Sequence, residues 1–179
     1  MKRAKTTVKQ SEQISRLVGC TRREGLDKRI KFSCSVEYSI HGIANAESYA
    51  IDLFWDIIAR YTHYKLLLSF YQDMLYIVDQ EADHFLAWYY RLLELGMPFG
   101  SLPCHAGLWQ SAEDTVLARL AIVSLTHEAK GLDSFMLTHN KFAQGKDLVS
   151  MGILELNYKE EIVHACPARP QVVLLPRAP

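Results

Sequence analysis

The sequence predicts an all-α protein built as a bundle of four helices. Residues 1–97 and 104–166 contain no proline, and long proline-free stretches favour helices. Within them apolar residues recur every three or four positions, as on one face of an α-helix. Alternating apolar and polar runs, which are typical of strands, are scarce. Four amphipathic segments joined by loops of mixed length are typical of a four-helix bundle.

The first two helices are predicted over residues 42–61 and 69–95. Gly96, followed by Pro98, is a good end signal for the second helix, because glycine tolerates a left-handed backbone. The residues expected to face the core are Ile43, Ala50, Phe54 and Ile57, then Met74, Ile77, Val78, Phe85, Trp88 and Leu92. Residues 96–107 carry three glycines and two prolines, which predicts an irregular connection long enough to join helices that are not simple neighbours.

The third helix is predicted over residues 108–130, with Gly131 as its end, and the fourth over residues 146–165. Residues 131–145 are expected to form a loop with a short helical piece around residues 135–142. The core-facing residues of the third helix are predicted to be Leu117, Leu120, Ala121, Ser124 and Leu125. Pro167 ends the fourth helix, because proline cannot continue it.

Charge divides the chain into unequal parts. The net charge is zero, which excludes a nucleic-acid binder that works by bulk charge. Residues 1–31, however, hold ten basic and three acidic residues, whereas residues 32–179 hold ten basic and seventeen acidic ones. We therefore predict a flexible basic arm over residues 1–36, the helical bundle over residues 37–166, and an irregular proline-rich tail over residues 167–179.

Composition narrows the class and the location of the protein. Apolar residues make up 49% and charged residues 22% of the chain, which excludes a disordered or collagen-like protein. No apolar run approaches the roughly 18 residues of a membrane helix, so no membrane partner is expected. The N-terminus lacks the apolar core of a secretory signal, and a cytoplasmic location is expected. A mitochondrial presequence is the alternative interpretation of the basic arm.

Four glutamates interrupt the apolar stripes, one in each predicted helix. An ionised glutamate rarely enters a core unless it is paired or bound to a metal ion. Four such positions, one per helix, indicate a shared partner. These residues are Glu47, Glu81, Glu128 and Glu161.

Two of these glutamates begin a Glu-x-x-His motif, which ends at His84 in the second helix and at His164 in the fourth. Residues three apart share one helix face, so both side chains can reach the same ion. One lone glutamate on each of two helices, with Glu-x-x-His on the other two, is the ligand pattern of di-iron and di-manganese carboxylate proteins. The two halves repeat at an offset of about 80 residues, with the ligands in register.

Alternatives remain at several of these positions. Glu81 and Glu161 could be half-exposed helix charges, with the histidines as polar core groups. Glu160 would replace Glu161 if the fourth helix were rotated, and His127 suits an outer or surface position. The candidates to orient the ligating histidines are Asp52, Asp79 and Asp83. Carboxylates with one imidazole per ion favour iron, or manganese, over zinc.

Several segments of the chain resemble an uncharacterised ferritin-like family known as domain of unknown function 455. They are HGIANAESYAIDLFWDIIARY, FYQDMLYIVDQEADHFLAWYYRLLELG, SLPCHAGLWQSAEDTVLARLAIVSLTHEAKGLD and LELNYKEEIVH, and together they cover about residues 41–164. The resemblance implies a ferritin-like four-helix bundle with metal ligands at Glu47, Glu81, His84, Glu128, Glu161 and His164. In the wider superfamily, similar sites serve iron oxidation, peroxide removal, fatty-acid desaturation and tRNA hydroxylation, and the fold does not choose among them.

The function expected from this pattern is that of an oxygen-dependent oxidase or hydroxylase with two iron ions. Its partners would be dioxygen and a small molecule that the sequence does not identify, and no oligomeric state is predicted. One alternative is a non-catalytic binding bundle or an inactive truncated form, because Cys166 and Pro167 follow His164 so closely. A second alternative is an RNA-directed (tRNA) hydroxylase that uses the basic arm to hold RNA.

Overall fold

The computed structural model describes residues 36–104 and 106–164, and every regular element within them is helical, which confirms the all-α class. The elements are α1 (Val36–Arg60), a 3-10 turn (Thr62–Tyr64), α2 (Leu68–Glu94), α3 (Gly107–Ser111), α4 (Val116–Leu120), a π-helical segment (Ala121–His127), α5 (Glu128–Gln144) and α6 (Leu148–His164). None of the helices in these ranges has the length and apolar character needed to cross a bilayer.

Three predictions fall wholly or mostly on residues outside this description. The basic arm, predicted over residues 1–36, and the tail, over residues 167–179, stay predictions. The same holds for the end of the fourth helix at Pro167, because the description of α6 stops at His164.

The helices form two antiparallel hairpins that pack against each other. α1 lies along α2, and α5 lies along α6. On the second hairpin, Phe135 stacks on Tyr158 with ring centroids 4.1 Å apart, and His139 lies 3.1 Å from Glu155. The hairpins meet where α2 and α6 run antiparallel. The contacts between α2 and α6 thus join the two hairpins.

Two apolar clusters fill the interior of the hairpin pair. One contains Leu53, Phe54, Ile57 and the buried residues Met74, Ile77 and Val78 of α2. The other contains Ile40, Ala44, Trp88, Leu92 and Phe142. The core-facing residues predicted for α2 are thus buried or partly buried as expected. Between the residues of the two clusters, α1 and α2 carry three of the six predicted metal ligands: Glu47, Glu81 and His84.

The long connection between the hairpins begins at the predicted glycine stop. Gly96 has a φ of 73°, and its N–H donates to the carbonyl of Leu93, which ends α2 as expected. Beyond it, the backbone N–H groups of Gly100 and Leu102 donate to Nε2 of the buried His41, at 2.9 and 3.4 Å. This histidine fastens the start of the connection to the first turns of α1.

The connection then follows α1 to its other end. There the Tyr61 hydroxyl donates to the carbonyl of Asp114, at 2.9 Å. Because the connection returns along α1, α5 runs parallel to α2 and antiparallel to α1. The expected long crossover between helices that are not simple neighbours is therefore present.

Both bounds predicted for the third helix are wrong. Its first part is the short α3, and a break over residues 112–115 follows. From Val116 the chain is helical without interruption to Gln144, so Gly131 lies inside α5 and ends nothing. A glycine inside a helix costs only about 1 kcal/mol relative to alanine. Burial of Phe142 against Trp88 offsets that cost.

The core-facing side predicted for that helix is also partly wrong. Leu117 and Leu125 are 57% and 44% exposed, and Ala121 is exposed too. Val123 and Glu128 are buried instead, although they lie five residues apart. In a regular α-helix that spacing would place them about 140° apart around the axis. The wider π turn, with i→i+5 hydrogen bonds, brings them to the same side.

Candidate metal centre

The six residues predicted as metal ligands converge between the two hairpins. Their side-chain donor atoms form two groups, and within each group all the atoms lie within 4.8 Å of one another. The groups are Glu47, Glu81, His84 and Glu161, and Glu81, Glu128, Glu161 and His164. Glu81 and Glu161 belong to both groups, so they lie between two positions that a cation could take. Each hairpin supplies three of the six residues.

Most of these ionisable groups are removed from water. Glu81 is 1% exposed, His84 2%, His164 6% and Glu128 7%, while Glu47 and Glu161 are partly buried. The alternative of half-exposed helix charges is therefore wrong for Glu81. Burying several carboxylates side by side is costly unless positive charge compensates them.

Both imidazoles turn Nδ1 toward the carboxylates. Nδ1 of His164 lies 3.0 Å from Oε1 of Glu81 and 3.3 Å from Oε2 of Glu161. Nδ1 of His84 lies 3.3 Å from Oε1 of Glu161. These approaches lack hydrogen-bond geometry, and both Nδ1 atoms, both oxygens of Glu81 and one oxygen of Glu161 have no hydrogen-bond partner. Buried polar atoms rarely stay without partners, so the donor set fits a bound cation.

The other ring nitrogen of each imidazole contacts a side chain from the opposite hairpin. Nε2 of His84 lies 2.7 Å from Oε2 of Glu160, and Nε2 of His164 lies 2.8 Å from Oε1 of Gln80. Carboxylate and amide oxygens accept, so both Nε2 atoms are donors. The neutral tautomer then leaves Nδ1 with a lone pair directed at the cluster, as in metal-bound histidines.

These two contacts correct the prediction that aspartates orient the histidines. Asp79 and Asp83 are exposed, and the ring N–H groups go to Glu160 and Gln80. Glu160 consequently does not replace Glu161 in the cluster. The repeat held a signal for this arrangement, because both orienting residues immediately precede the glutamate of a Glu-x-x-His motif.

Comparison with known proteins places this cluster in a family context. A family model described as "Protein of unknown function (DUF455)" matches residues 5–166. The chain belongs to the DUF455 family. The resemblance that the sequence indicated is thereby confirmed at the family level.

A relative of this DUF455 chain is an "Uncharacterized protein" of Haemophilus influenzae. It is 34% identical over 134 residues, which cover 70% of this chain and 46% of the relative. The chain therefore spans about half the length of the curated relative that it matches. No solved structure matches the chain.

In the metal-free DUF455 chain, protons compensate the buried charge. Burial lowers the pKa of His84, but the carboxylates of Glu161, Glu81 and Glu47 outweigh it and raise that pKa to about 11. Burial also lowers the pKa of His164, but the carboxylates of Glu161 and Glu81 outweigh it and raise that pKa to about 9. Both imidazoles then carry positive charge at neutral pH, next to the carboxylates that would hold a cation.

The pKa values of Glu47, Glu128 and Glu161 are shifted in two directions. Burial, reinforced by neighbouring carboxylates, raises the pKa of Glu47 and of Glu128 well above the usual value. Burial also acts to raise the pKa of Glu161, but Glu128, His164 and His84 outweigh it and lower that pKa. Metal ions would take the place of protons at this cluster, so binding releases protons.

A cavity of about 430 Å³ opens onto the cluster between α1, α5 and α6. Four of the six candidate ligands line it, and all four are carboxylates: Glu47, Glu81, Glu128 and Glu161. His84 and His164 lie on the far side of the cluster. A molecule in the cavity would thus approach the cluster from its carboxylate face.

His127 takes the outer position that the sequence favoured. It belongs to neither group of donor atoms, and its Nε2 lies 2.9 Å from the hydroxyl of Ser111. Burial, with a smaller effect from Lys130, lowers the pKa of His127. The residue lines the cavity as a neutral polar group.

Proposed function

We propose that this DUF455 chain is a ferritin-like four-helix bundle with a di-iron carboxylate centre, and that it uses dioxygen to oxidise a small molecule. The observation that carries the proposal is the pair of overlapping donor groups, each with three carboxylates and one imidazole. Both groups share Glu81 and Glu161, and each contains one lone glutamate and one complete Glu-x-x-His pair, as in di-iron carboxylate proteins. Manganese is the alternative metal, because its ligand preferences are similar.

The metal would supply redox chemistry with dioxygen, and the chain's residues would hold and shield it. Glu47 and His84 would hold one ion, and Glu128 and His164 the other. Glu160 and Gln80 keep each imidazole in the tautomer that leaves Nδ1 free to bind. The apolar clusters shield the centre on two sides, while the cavity gives access to its carboxylate face.

For a hydroxylation the reaction is balanced by an external two-electron donor. The substrate C–H bond and dioxygen, with two electrons and two protons, would give an alcohol and one molecule of water.

The test is elemental analysis of the protein after anaerobic loading with ferrous iron. We expect about two ions per chain, and a loss of at least about one ion in Glu81→Gln and in Glu128→Gln. Glutamine keeps the size of the side chain and removes its charge. Fewer than about one bound ion in the unaltered chain would overturn the proposal.

The matched control is Glu155→Gln on α6. Glu155 is half exposed and pairs only with His139 among the contacts described for it, at 3.1 Å. This variant should keep full metal content. Oxygen consumption by the loaded protein with a reductant then separates a redox centre from a purely structural metal site.

A further inference from the structure

The cavity beside the metal centre has a shape and a charge pattern that select a ligand. Its wall on α1 is made by small residues one turn apart, Gly42, Ala46 and Ala50. On the facing side, Gly131 and Ser134 of α5 continue this narrow wall. A Cβ atom added at Gly42 or at Gly131 would meet nothing within 4 Å, so the space beside these residues is open.

The cavity extends along α1. Its lining residues on α1 run from Ser39 to Leu53, which corresponds to about 21 Å of helix axis. An extended alkyl chain can lie along a cavity of that length.

The walls are apolar away from the metal centre. Ile43, Leu53, Val123, Leu132, Phe135 and Leu154 all line the cavity. Ser39, Thr138 and Asn157 also line the cavity, but most of the accessible surface of its wall belongs to apolar atoms. The volume lies within the range of about 300–1,000 Å³ that is usual for small-molecule sites.

One cationic side chain lines the cavity among the described residues. Lys130 is exposed, so its ammonium group is hydrated and available at the rim. The other ionisable lining groups are His127, whose pKa is lowered, and the four carboxylates of the cluster. An anionic group of a ligand is therefore matched by Lys130 at the rim of the cavity.

We propose that the cavity binds an unbranched alkyl carboxylate, with its carboxylate at Lys130 and its chain passing the metal centre. The inference rests on the proposed function for its role as a substrate site, although binding itself depends only on the chain's own residues. It narrows the unidentified small molecule to one chemical class.

The test is calorimetric titration of the full chain, both metal-free and iron-loaded, with octanoate, decanoate and dodecanoate below their micelle concentrations. We expect one saturable site, with affinity rising about fourfold per added methylene until the cavity is filled. Absence of saturable binding in either form of the protein would overturn the inference, and so would equal affinity across the series.

Ala46→Leu is the decisive variant because it places a larger side chain inside the cavity without a charge change. It should weaken decanoate binding by about tenfold or more. Ala59→Leu, on the exposed side of the same helix, should bind as the unaltered chain does. If the two variants bind equally well, the cavity is not the site.

Lys130→Met tests the anionic end of the ligand. It should weaken decanoate binding about threefold and leave decanol unaffected, because an exposed ion pair contributes little. Lys159→Met, exposed on α6, is the control and should change neither. An equal effect on acid and alcohol would overturn the assignment of the carboxylate to Lys130.

Metal content measured on the same samples separates the two proposals. Full metal content without alkanoate binding contradicts this inference alone. Alkanoate binding that Ala46→Leu removes, in a chain that takes up no metal, supports the cavity site and contradicts the proposed di-iron function.

Discussion

Two residues that ligate nothing, Gln80 and Glu160, decide how the imidazoles face the candidate centre. They are related by the internal repeat, yet one is an amide and the other a carboxylate. An imidazole whose ring N–H is bound by a carboxylate is a more basic metal ligand than one whose ring N–H is bound by an amide. The two candidate cation positions are thus inequivalent, and the position beside His84 has the more basic imidazole.

Glu160→Gln should remove this difference. We expect the metal affinity at the position that contains His84 to fall about tenfold, with the position at His164 unchanged. A competition titration with a chromophoric chelator resolves the two affinities. Gln80→Glu should act in the opposite direction, by tightening the position at His164. Equal weakening at both positions after Glu160→Gln would contradict this account.

The residues of the cluster could be predicted from the sequence because a shared metal site would require them in register. Charged groups on apolar stripes, repeated at a fixed offset, leave a signal that one chain can show. Gln80 is in register with Glu160 in the repeat, but register alone does not tell which group a glutamine contacts. Its contact with His164 follows from the packing of α2 against α6, which brings residues 84 positions apart in sequence within 2.8 Å.

Among the helices, α2 could be predicted closely, whereas the helix that carries Glu128 could not. The Gly96 stop and the core-facing residues of α2 obey local rules. The π-helical segment has no such local signature. It arises because Val123 must pack in the core while Glu128, five residues later, must reach the cluster. Long-range packing therefore selects the wider turn.

A buried ion pair fixes the start of that helix. Nη2 of Arg119 lies 2.6 Å from Oδ2 of Asp56 on α1, and both side chains are almost fully buried. Nη1 of Arg119 also donates to the backbone carbonyl of Glu113, at 2.9 Å. Asp56 in turn accepts two hydrogen bonds from Arg60. The network ties α4 to α1 just before the π-helical segment.

Asp56→Ala should destabilise the fold by about 3–5 kcal/mol, because it leaves the Arg119 guanidinium buried without its carboxylate. Urea unfolding measures the free energy. The double variant Asp56→Ala/Arg119→Met should recover part of the loss, since no unpaired charge stays in the core. Asp114→Ala is the control: its carboxylate is 94% exposed and 3.6 Å from Arg60, so the effect should stay below about 1 kcal/mol.

In the molecule as a whole, the candidate centre joins the two hairpins, which Arg91 of α2 also links through Ser150 and Asp147. Each hairpin brings three carboxylate or imidazole groups to the junction, where their like charges oppose association unless protons or cations compensate them. The repeat in the sequence thus places half of the cluster on each hairpin. Neither hairpin can complete a donor group alone, because both groups include residues from α2 and from α6.

Metal should therefore stabilise the assembled fold. Relative to the unaltered chain, Glu128→Gln should be no less stable without metal and less stable with it. Without metal, the variant relieves carboxylate repulsion and should be as stable as the unaltered chain or more so. With metal at 100 times the dissociation constant, the unaltered chain gains about 2.7 kcal/mol, or roughly 5–10 °C in Tm, and the variant gains less. Thermal unfolding with and without a chelator measures both, and Glu155→Gln should follow the unaltered chain. If Glu128 were only a packing residue, its substitution would lower Tm equally in both states.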